Sequence, residues 1–377
     1  VSYWPGKYVI GLTGNIATGK SVVRRMLEHL GAYTIDADAL SHRAIARGAP
    51  GYQPTLEVFG TFILDASNEI DRAKLSRLVF SDPEALIQLE SIVHPLVEHA
   101  IDLMIQRAHQ TVIVLEAIKL LEGNLAPKCD SIWVTEAPES IQKTRLIQKR
   151  GISEKEATQR IQAQPSQSFK TGVADVIIHN SGSFDDTWQE VLAAWKLIAP
   201  AEDTTQIFLS KAVKGELAVQ RGGPRDSANI AALITRLNSA KRPQSEDDIM
   251  AAFGEKAYLL LLADKRLVGL AGWQVENLVV RTTELYLDPQ VESSLAIKTL
   301  ITEVEHASQD LQCEASMLFL LPQLAEQAAI WKELGYTHRT PETLGIRAWQ
   351  EAALESQQPN TTLFFKQLRQ DRILRPI

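Results

Sequence analysis

Lys20 and Ser21 close the run Gly14, Asn15, Ile16, Ala17, Thr18, Gly19, a complete G-x-x-x-x-G-K-S pattern. That spacing suits a polyphosphate. Backbone N–H groups and a helix dipole point at the anion, Lys20 reaches the outer phosphates, and the Ser21 hydroxyl can ligate Mg²⁺. Gly14 and Gly19 stand where a side chain would most obstruct the loop. A second group is Asp36-Ala37-Asp38. One carboxylate of such a pair can take a proton from an attacking hydroxyl while the other organises Mg²⁺ waters, against the plainer reading of a helix N-cap. A third is the basic run Lys143, Arg145, Lys149 and Arg150 before Gly151, with Arg160 and Lys170 beyond. It suits a mobile cover for transition-state charge, against the plainer reading of a solvated face. Arg43, His94 and Arg107 are polar candidates for an acceptor pocket.

These groups need a scaffold, and the apolar patterning predicts one. Short strands are expected at Tyr8–Leu12, Ala32–Ile35, Val112–Leu115, Ser131–Val134 and Val176–Ile178. Amphipathic segments alternate with them, beginning with the stripe Val22, Val23, Met26, Leu27 and Leu30. That alternation implies a doubly wound parallel sheet that binds ligands beyond the carboxyl ends of its strands. The phosphate loop, Asp36 and Asp38, Glu116, and His179-Asn180 fall at those ends. The second strand is expected beside the first, and residues 39–109 form a helical insertion able to supply the acceptor pocket. Asp82-Pro83-Glu84 and the capping box Ser153 to Glu156 each open a helix.

Length and composition set the outer bounds. The chain has 377 residues, 45% hydrophobic and 23% charged, ordinary for two globular domains. A net charge of −7 gives no support for a nucleic-acid partner. Cys129 and Cys313 form no disulfide framework or zinc spacing. Residues 1–7 lack an apolar signal region, and no apolar stretch approaches a membrane span. A cytoplasmic protein without a membrane partner is expected. No guanine-reading Asn-Lys-x-Asp motif occurs, and Val112-Ile-Val-Leu-Glu116 only partly matches the strand of an ATPase motor. A small-molecule kinase fits the acids, the basic cover and the insertion together.

Residues 8–195 resemble dephospho-coenzyme A kinases. The resemblance rests on Tyr8–Ser21, Gly31–Asp38, Phe80–Pro83, Ile92–Leu96, Leu120–Glu122, Arg145–Gly151, Arg160–Gln164 and Val176–Gly182, in the family's order. It implies a P-loop kinase with a five-stranded parallel sheet. Its reaction would be ATP-dependent phosphorylation of the ribose 3′-hydroxyl of dephospho-coenzyme A, the last step of coenzyme A synthesis. The resemblance makes Asp38 the base, Arg150 the charge stabiliser and Lys20 a catalytic cation. Gly14 to Ser21 then hold ATP and Mg²⁺, with Arg145 and Asn180 on the nucleotide side. Asp36, Arg43, His94 and Pro95 border the acceptor. Departures fall at Asn15 and Ala17, where the family usually has Gly, at Lys119, where it usually has Pro, and at His179-Asn180, where it usually has Asp-Asn. They put efficiency in question rather than reaction class.

Periodicity stops near residues 199–206, and a linker is expected over 201–215 between a kinase domain (1–200) and a second domain (216–377). The second domain reads as α+β. It has strands near 216–220, 257–263, 267–275, 278–287, 315–321 and 361–366, and helices near 226–239, 292–310 and 323–334. In element order, and in Trp331-Lys-Glu-Leu-Gly-Tyr336, it resembles Gcn5-related N-acetyltransferases. The glycine loop that class uses for a pyrophosphate is replaced by Leu287-Asp-Pro-Gln-Val-Glu292, whose Asp288 and Glu292 are expected to repel an anion. A non-catalytic module is expected, able to mediate homo-oligomers or to sense coenzyme A or an acyl derivative. Trp273, Trp331 and Trp349 read as core or interface residues. A second reading of the whole chain remains open, a P-loop regulator whose nucleotide state controls what the second domain binds.

Overall fold

The computed structural model describes residues 2–199, 217–237, 242–370 and 374, so the linker expected at 201–215 lies outside the described residues. In the N-terminal half the order is β1 (Tyr8–Gly14), α1 (Lys20–His29), β2 (Tyr33–Asp36), α2 (Ala37–Ala44), α3 (Tyr52–Phe59), α4 (Arg72–Ser81) and α5 (Pro83–Arg107). Then follow β3 (Val112–Glu116), β4 (Ser131–Glu136), α6 (Glu139–Arg150), α7 (Glu154–Gln162), α8 (Gln167–Thr171), β5 (Val176–His179) and α9 (Phe184–Trp195). The five strands are parallel in the order β2-β3-β1-β4-β5. All five expected strands are present. The expected adjacency of β1 and β2 is not, because β3 lies between them and pairs with both. The reason is burial. Every residue of β3 is buried, as a strand covered on both faces and paired on both edges requires, whereas β2 alternates.

One face of this sheet packs on α2 and α5 through Ile35, Leu40, Ile101, Met104 and Leu115. The other packs on α1 and α9 through Ile10, Val23, Leu27, Trp133 and Trp195. The insertion has its own small core of Phe59, Ile63, Ile70, Leu75 and Val79. Its helices start as their sequences suggest: Asp82 accepts the N–H of Glu84 at 2.9 Å, and farther along Ser153 accepts that of Glu156 at 3.2 Å.

The C-terminal half contains β6 (Leu217–Gly222), α10 (Ser227–Leu237), α11 (Glu246–Ala252), β7 (Ala257–Ala263), β8 (Arg266–Glu276), β9 (Val279–Leu287) and α12 (Ser293–Asp310). Next come β10 (Ala315–Leu320), α13 (Pro322–Ala325), α14 (Ala328–Glu333), β11 (Thr337–His338), α15 (Arg347–Ser356) and β12 (Thr362–Gln367). Its seven strands run in the order β11-β12-β10-β9-β8-β7-β6. All neighbours are antiparallel except β9 and β10, which pair in parallel only from Val279–Ala315 to Thr282–Leu318. The helix expected over 323–334 is two short helices, and α15 appears where no element was expected. Trp273, Trp331 and Trp349 are buried in cores, as expected.

The two halves pack together. The β8–β9 hairpin turns at Asn277 and Leu278, both left-handed (φ 51° and 61°), the geometry of a two-residue hairpin turn. Leu278 at the tip is 8% exposed and sits in the core of the N-terminal half. Burial of a leucine, roughly 1.5–3 kcal/mol, offsets a left-handed backbone cost of about 1–2 kcal/mol. Beside it, Arg43 pairs with Glu314 at 2.5 Å and donates to the Asn277 carbonyl at 2.7 Å. Arg25 donates to the Val275 carbonyl at 3.2 Å, and Gln312 to that of Met104 at 2.8 Å. The ring Nε2 of His29 lies 2.9 Å from the Phe253 carbonyl oxygen. Burial pushes His29 down to about 4, so it is neutral at pH 7 and donates there.

Candidate active site

The chain leaves β1 at Gly14, turns through the loop and enters α1 at Lys20. A Cβ at Gly14 would stand 2.3 Å from the Thr135 hydroxyl oxygen. At Gly19 (φ 97°) it would stand 1.7 Å from the Asn180 amide nitrogen, so only glycine fits either place. Ala17 is also left-handed, at φ 58°, although it carries a side chain. Thr18 secures the loop from beneath, its hydroxyl 2.8 Å from both the Asn15 carbonyl and the Thr135 hydroxyl. Lys20 reaches back along the loop, with Nζ 3.0 Å from the Gly14 carbonyl. Ser21 is exposed in the first turn of α1.

Arg145 and Asn180 act on this loop together. Arg145 donates to the Ala17 carbonyl at 3.1 Å and to the Asn180 carbonyl at 2.8 Å. Asn180 donates to the Thr18 carbonyl at 3.0 Å. The helical pair α6 and α7 closes over the same place. Leu146, Ala157 and Ile161 pack against Ile16 and Ala17, and the Gln164 side chain accepts the Ile16 N–H at 2.7 Å. Arg150 ends α6, and its side chain is outside what the structure describes. The remaining members of the expected basic cover divide. Arg160 pairs with Glu156 on an exposed helix face at 2.7 Å, the solvated-face reading. Lys143 is 3.4 Å from Glu154. Lys170 does not belong to a cover. Its side chain is buried under the site and donates to the Ile118 carbonyl at 2.8 Å.

Two acids occupy the end of β2, with different jobs. Asp36 is the N-cap of α2, accepting the Ala39 N–H at 2.8 Å, so the capping reading holds for it. Asp38, in the first turn of the helix, accepts the Ile118 N–H at 3.0 Å. Burial pushes its carboxyl above the usual aspartate range; Asp36 adds to this, while the Ile118 bond, Lys20 and Lys170 oppose it. Such a carboxylate is more basic than an exposed one. Glu116 at the end of β3 pairs with the buried Arg24 of α1 at 2.9 Å. The motifs single out neither Arg24 nor Lys170 for these places. A strand ending in an acid at the carboxyl edge of a sheet was the visible signal for Glu116.

A cavity of about 330 Å³ lies along α2, its lining starting at Ser41, about one turn beyond Asp38. Ser41, His42, Arg43, Arg72, His94 and Lys119 contribute its polar lining, and Leu75, Val79, Leu86 and Val93 its apolar floor. Arg43 and His94 are therefore together as expected, although the Arg43 guanidinium is engaged by Glu314. Arg107 does not line this cavity. Lys119 replaces an expected proline and lies 4.0 Å from Glu90 at the cavity wall. His179 points its two ring nitrogens at Glu136 (3.6 Å) and Glu190 (3.3 Å), on the exposed edge strand.

A family profile described as dephospho-CoA kinase matches residues 8–186. The dephospho-CoA kinase of Carboxydothermus hydrogenoformans is 41% identical over 194 residues, covering 50% of this chain and 94% of that protein. The solved dephospho-CoA kinase from Campylobacter jejuni is 27% identical, covers 51% of this chain and 97% of its own, and aligns with a TM-score of 0.39. The ribosomal-protein-S18-alanine N-acetyltransferase from Escherichia coli, 13% identical, covers 42% of this chain and 97% of its own with a TM-score of 0.33. With nearly the whole length of a curated relative matched at that identity, the chain belongs to the dephospho-CoA kinase family.

Proposed function

We propose that the enzyme transfers the γ-phosphoryl group of ATP to the ribose 3′-hydroxyl of dephospho-coenzyme A, with Asp38 as the proton acceptor. The observation that carries this assignment is the position of Asp38, on the first turn of α2, within electrostatic reach of Lys20 and one turn before Ser41 and His42 of the acceptor cavity. The N–H groups of residues 14–21 and Lys20 hold the nucleotide's phosphates, as at other helix N-termini. Arg145 and Asn180 keep that loop in shape through the Ala17 and Thr18 carbonyls. Arg150 is assigned to charge on the transferring group from its place at the end of α6. Asp36 orders the start of α2, and Arg43 and His94 border the acceptor.

The donor set fits Mg²⁺. Among the described residues no cluster of three or more His, Cys, Asp or Glu could hold a metal. A magnesium ion bound chiefly by phosphates, waters and one hydroxyl needs none. Ser21 would supply that hydroxyl, and the ion would supply charge neutralisation on the phosphates. We assign residues 1–200 to the kinase, 201–215 to a linker and 216–377 to the second domain, and the cytoplasm as compartment. No described helix is long and apolar enough to cross a membrane.

The regulator reading is separated by one assay. ADP release by the full chain is measured with and without dephospho-coenzyme A. A kinase shows release that depends on the acceptor, and Lys20→Ala lowers it by about 10²–10³-fold, as for loss of one donor to transition-state charge. ADP release indifferent to the acceptor would remove the assignment.

A further inference from the structure

The cavity along α2 is not built by the kinase half alone. Arg347 and Ala348, at the start of α15 in the second half, are part of its lining. We propose that α15 is a wall of the acceptor site and that Arg347 is a positioning residue for dephospho-coenzyme A; this rests on the kinase reading above.

The helix is built to face two ways. Trp349, Ala352 and Ala353 bury one side in the second half, against Ala315, Met317 and Leu363. Arg347 and Glu351, one turn apart on the other side, pair with each other at 2.9 Å. Both also reach into the kinase half. Arg347 pairs with Asp65 at 2.5 Å, and Glu351 with Arg72 at 3.4 Å.

Asp65 is the organiser of a tight turn. Its Oδ1 accepts the Ser67 N–H at 2.8 Å, the Ser67 hydroxyl at 2.7 Å and the Glu69 N–H at 3.0 Å. Glu69 and Ile70, which leave that turn, are on the cavity wall, as is Arg72. Arg347 therefore grips the second carboxylate oxygen of the residue that shapes one side of the cavity, and its neighbour Ala348 closes the space itself. One half-buried and one exposed ion pair contribute little to global stability. Their effect is geometric: they hold one wall against another across a cavity.

The lining suits the acceptor's chemistry. Arg43, Arg72, Lys119 and Arg347 line the cavity, each now paired with a carboxylate (Glu314, Glu351, Glu90 and Asp65), so a diphosphate would bind by exchanging for those partners, while the apolar floor of Ile70, Leu75, Val79 and Val93 matches a largely uncharged amide arm. The second half thus contributes to acceptor binding through α15.

Steady-state kinetics of the full chain test this, with dephospho-coenzyme A varied at saturating ATP and the reverse. Arg347→Ala should raise KM for dephospho-coenzyme A roughly three- to tenfold, with kcat and KM for ATP within about twofold of wild type. Arg347→Lys should recover part of that loss. Ala348→Trp, which fills the cavity from the α15 side and leaves the ion pairs in place, should raise the same KM. Wild-type KM values for the acceptor in both Arg347→Ala and Ala348→Trp overturn the proposal, while acceptor-dependent ADP release by the wild type keeps the kinase reading. Should Arg347→Ala melt early, Ala348→Trp decides alone. A wild-type chain with no acceptor dependence overturns both.

Discussion

Two strand-to-helix junctions in this chain look alike in topology and differ in chemistry. β1 and β9 are each the central strand of their sheet, and each feeds a helix, α1 and α12. At the first, two glycines let the backbone pass within contact of Thr135 and Asn180, a lysine opens the helix, and no acid stands in its first turn. At the second the connection is Asp288-Pro289-Gln290-Val291-Glu292, without glycine. Asp288 is 3% exposed and holds the place itself. It pairs with Arg236 at 2.8 Å and Arg266 at 3.4 Å, and accepts the Gln290 N–H at 3.1 Å. The expected repulsion of an anion is thus refined: the carboxylate has partners and uses a backbone donor that an anion would need. A strand, a loop and a helix make an anion site only where the N–H groups are left to the ligand.

The largest break in the comparison comes from the acids beside each junction. Asp38→Asn should lower kcat by about 10²–10⁴-fold, the usual range for loss of a positioned base. The pH profile sharpens this. Burial raises the Asp38 carboxyl, and a carboxyl acting as proton acceptor must be ionised. Activity should therefore fall as pH drops through a value above the ordinary aspartate range near 4. An acid limb of kcat/KM at or below that ordinary range, or near-normal turnover by Asp38→Asn, counts against Asp38 as base.

Asp288 titrates in the opposite direction, and its effect belongs to stability. The Arg236 hydrogen bond, then that of the Gln290 N–H, holds its carboxyl below the usual range. A carboxylate depressed in the folded state stabilises above its unfolded value, and that contribution fades as pH falls through the folded value. Asp288→Asn should cost about 1 kcal/mol at pH 7, discounted because both arginines are largely exposed, and less at pH 3. Urea unfolding at the two pH values measures it, with kcat unchanged. An equal loss at both would assign the effect to packing instead.

Much of this contrast was legible from residues alone. The glycines, Lys20 and Ser21 are a local pattern, and local patterns survive without tertiary information. The absence of glycine from 288–292 was legible for the same reason. Asp36 and Asp38 were visible as a pair, but not which would cap α2, since that depends on where β2 ends. The place of β3 between β1 and β2 was hidden because strand order is set by pairing across the long insertion. Lys170 read as one more surface cation, and only the packing of α8 under the site buries it. The segment forming α15 was read only through Trp349. Its Arg347 and Glu351 gain their meaning from partners some 280 residues away, at Asp65 and Arg72, as the separations of 282 and 279 positions record.

Ala17 offers the smallest and most local test of the first junction. It holds φ 58° in the loop, where a Cβ costs about 1–2 kcal/mol that glycine does not. Its carbonyl is also the Arg145 acceptor, and the residue packs on the α6–α7 core, so the conformation is held from two sides. Ala17→Gly removes the backbone cost and also the methyl contact, and it frees the unfolded chain. The gain should exceed the loss by a few tenths to about 1 kcal/mol, raising Tm by about 1–3 °C. Thermal melts of the two proteins measure it. A lower Tm for the glycine form would show that the Ala17 methyl in the α6–α7 core outweighs its strained backbone, and that this loop is held by its cover rather than by its own turn.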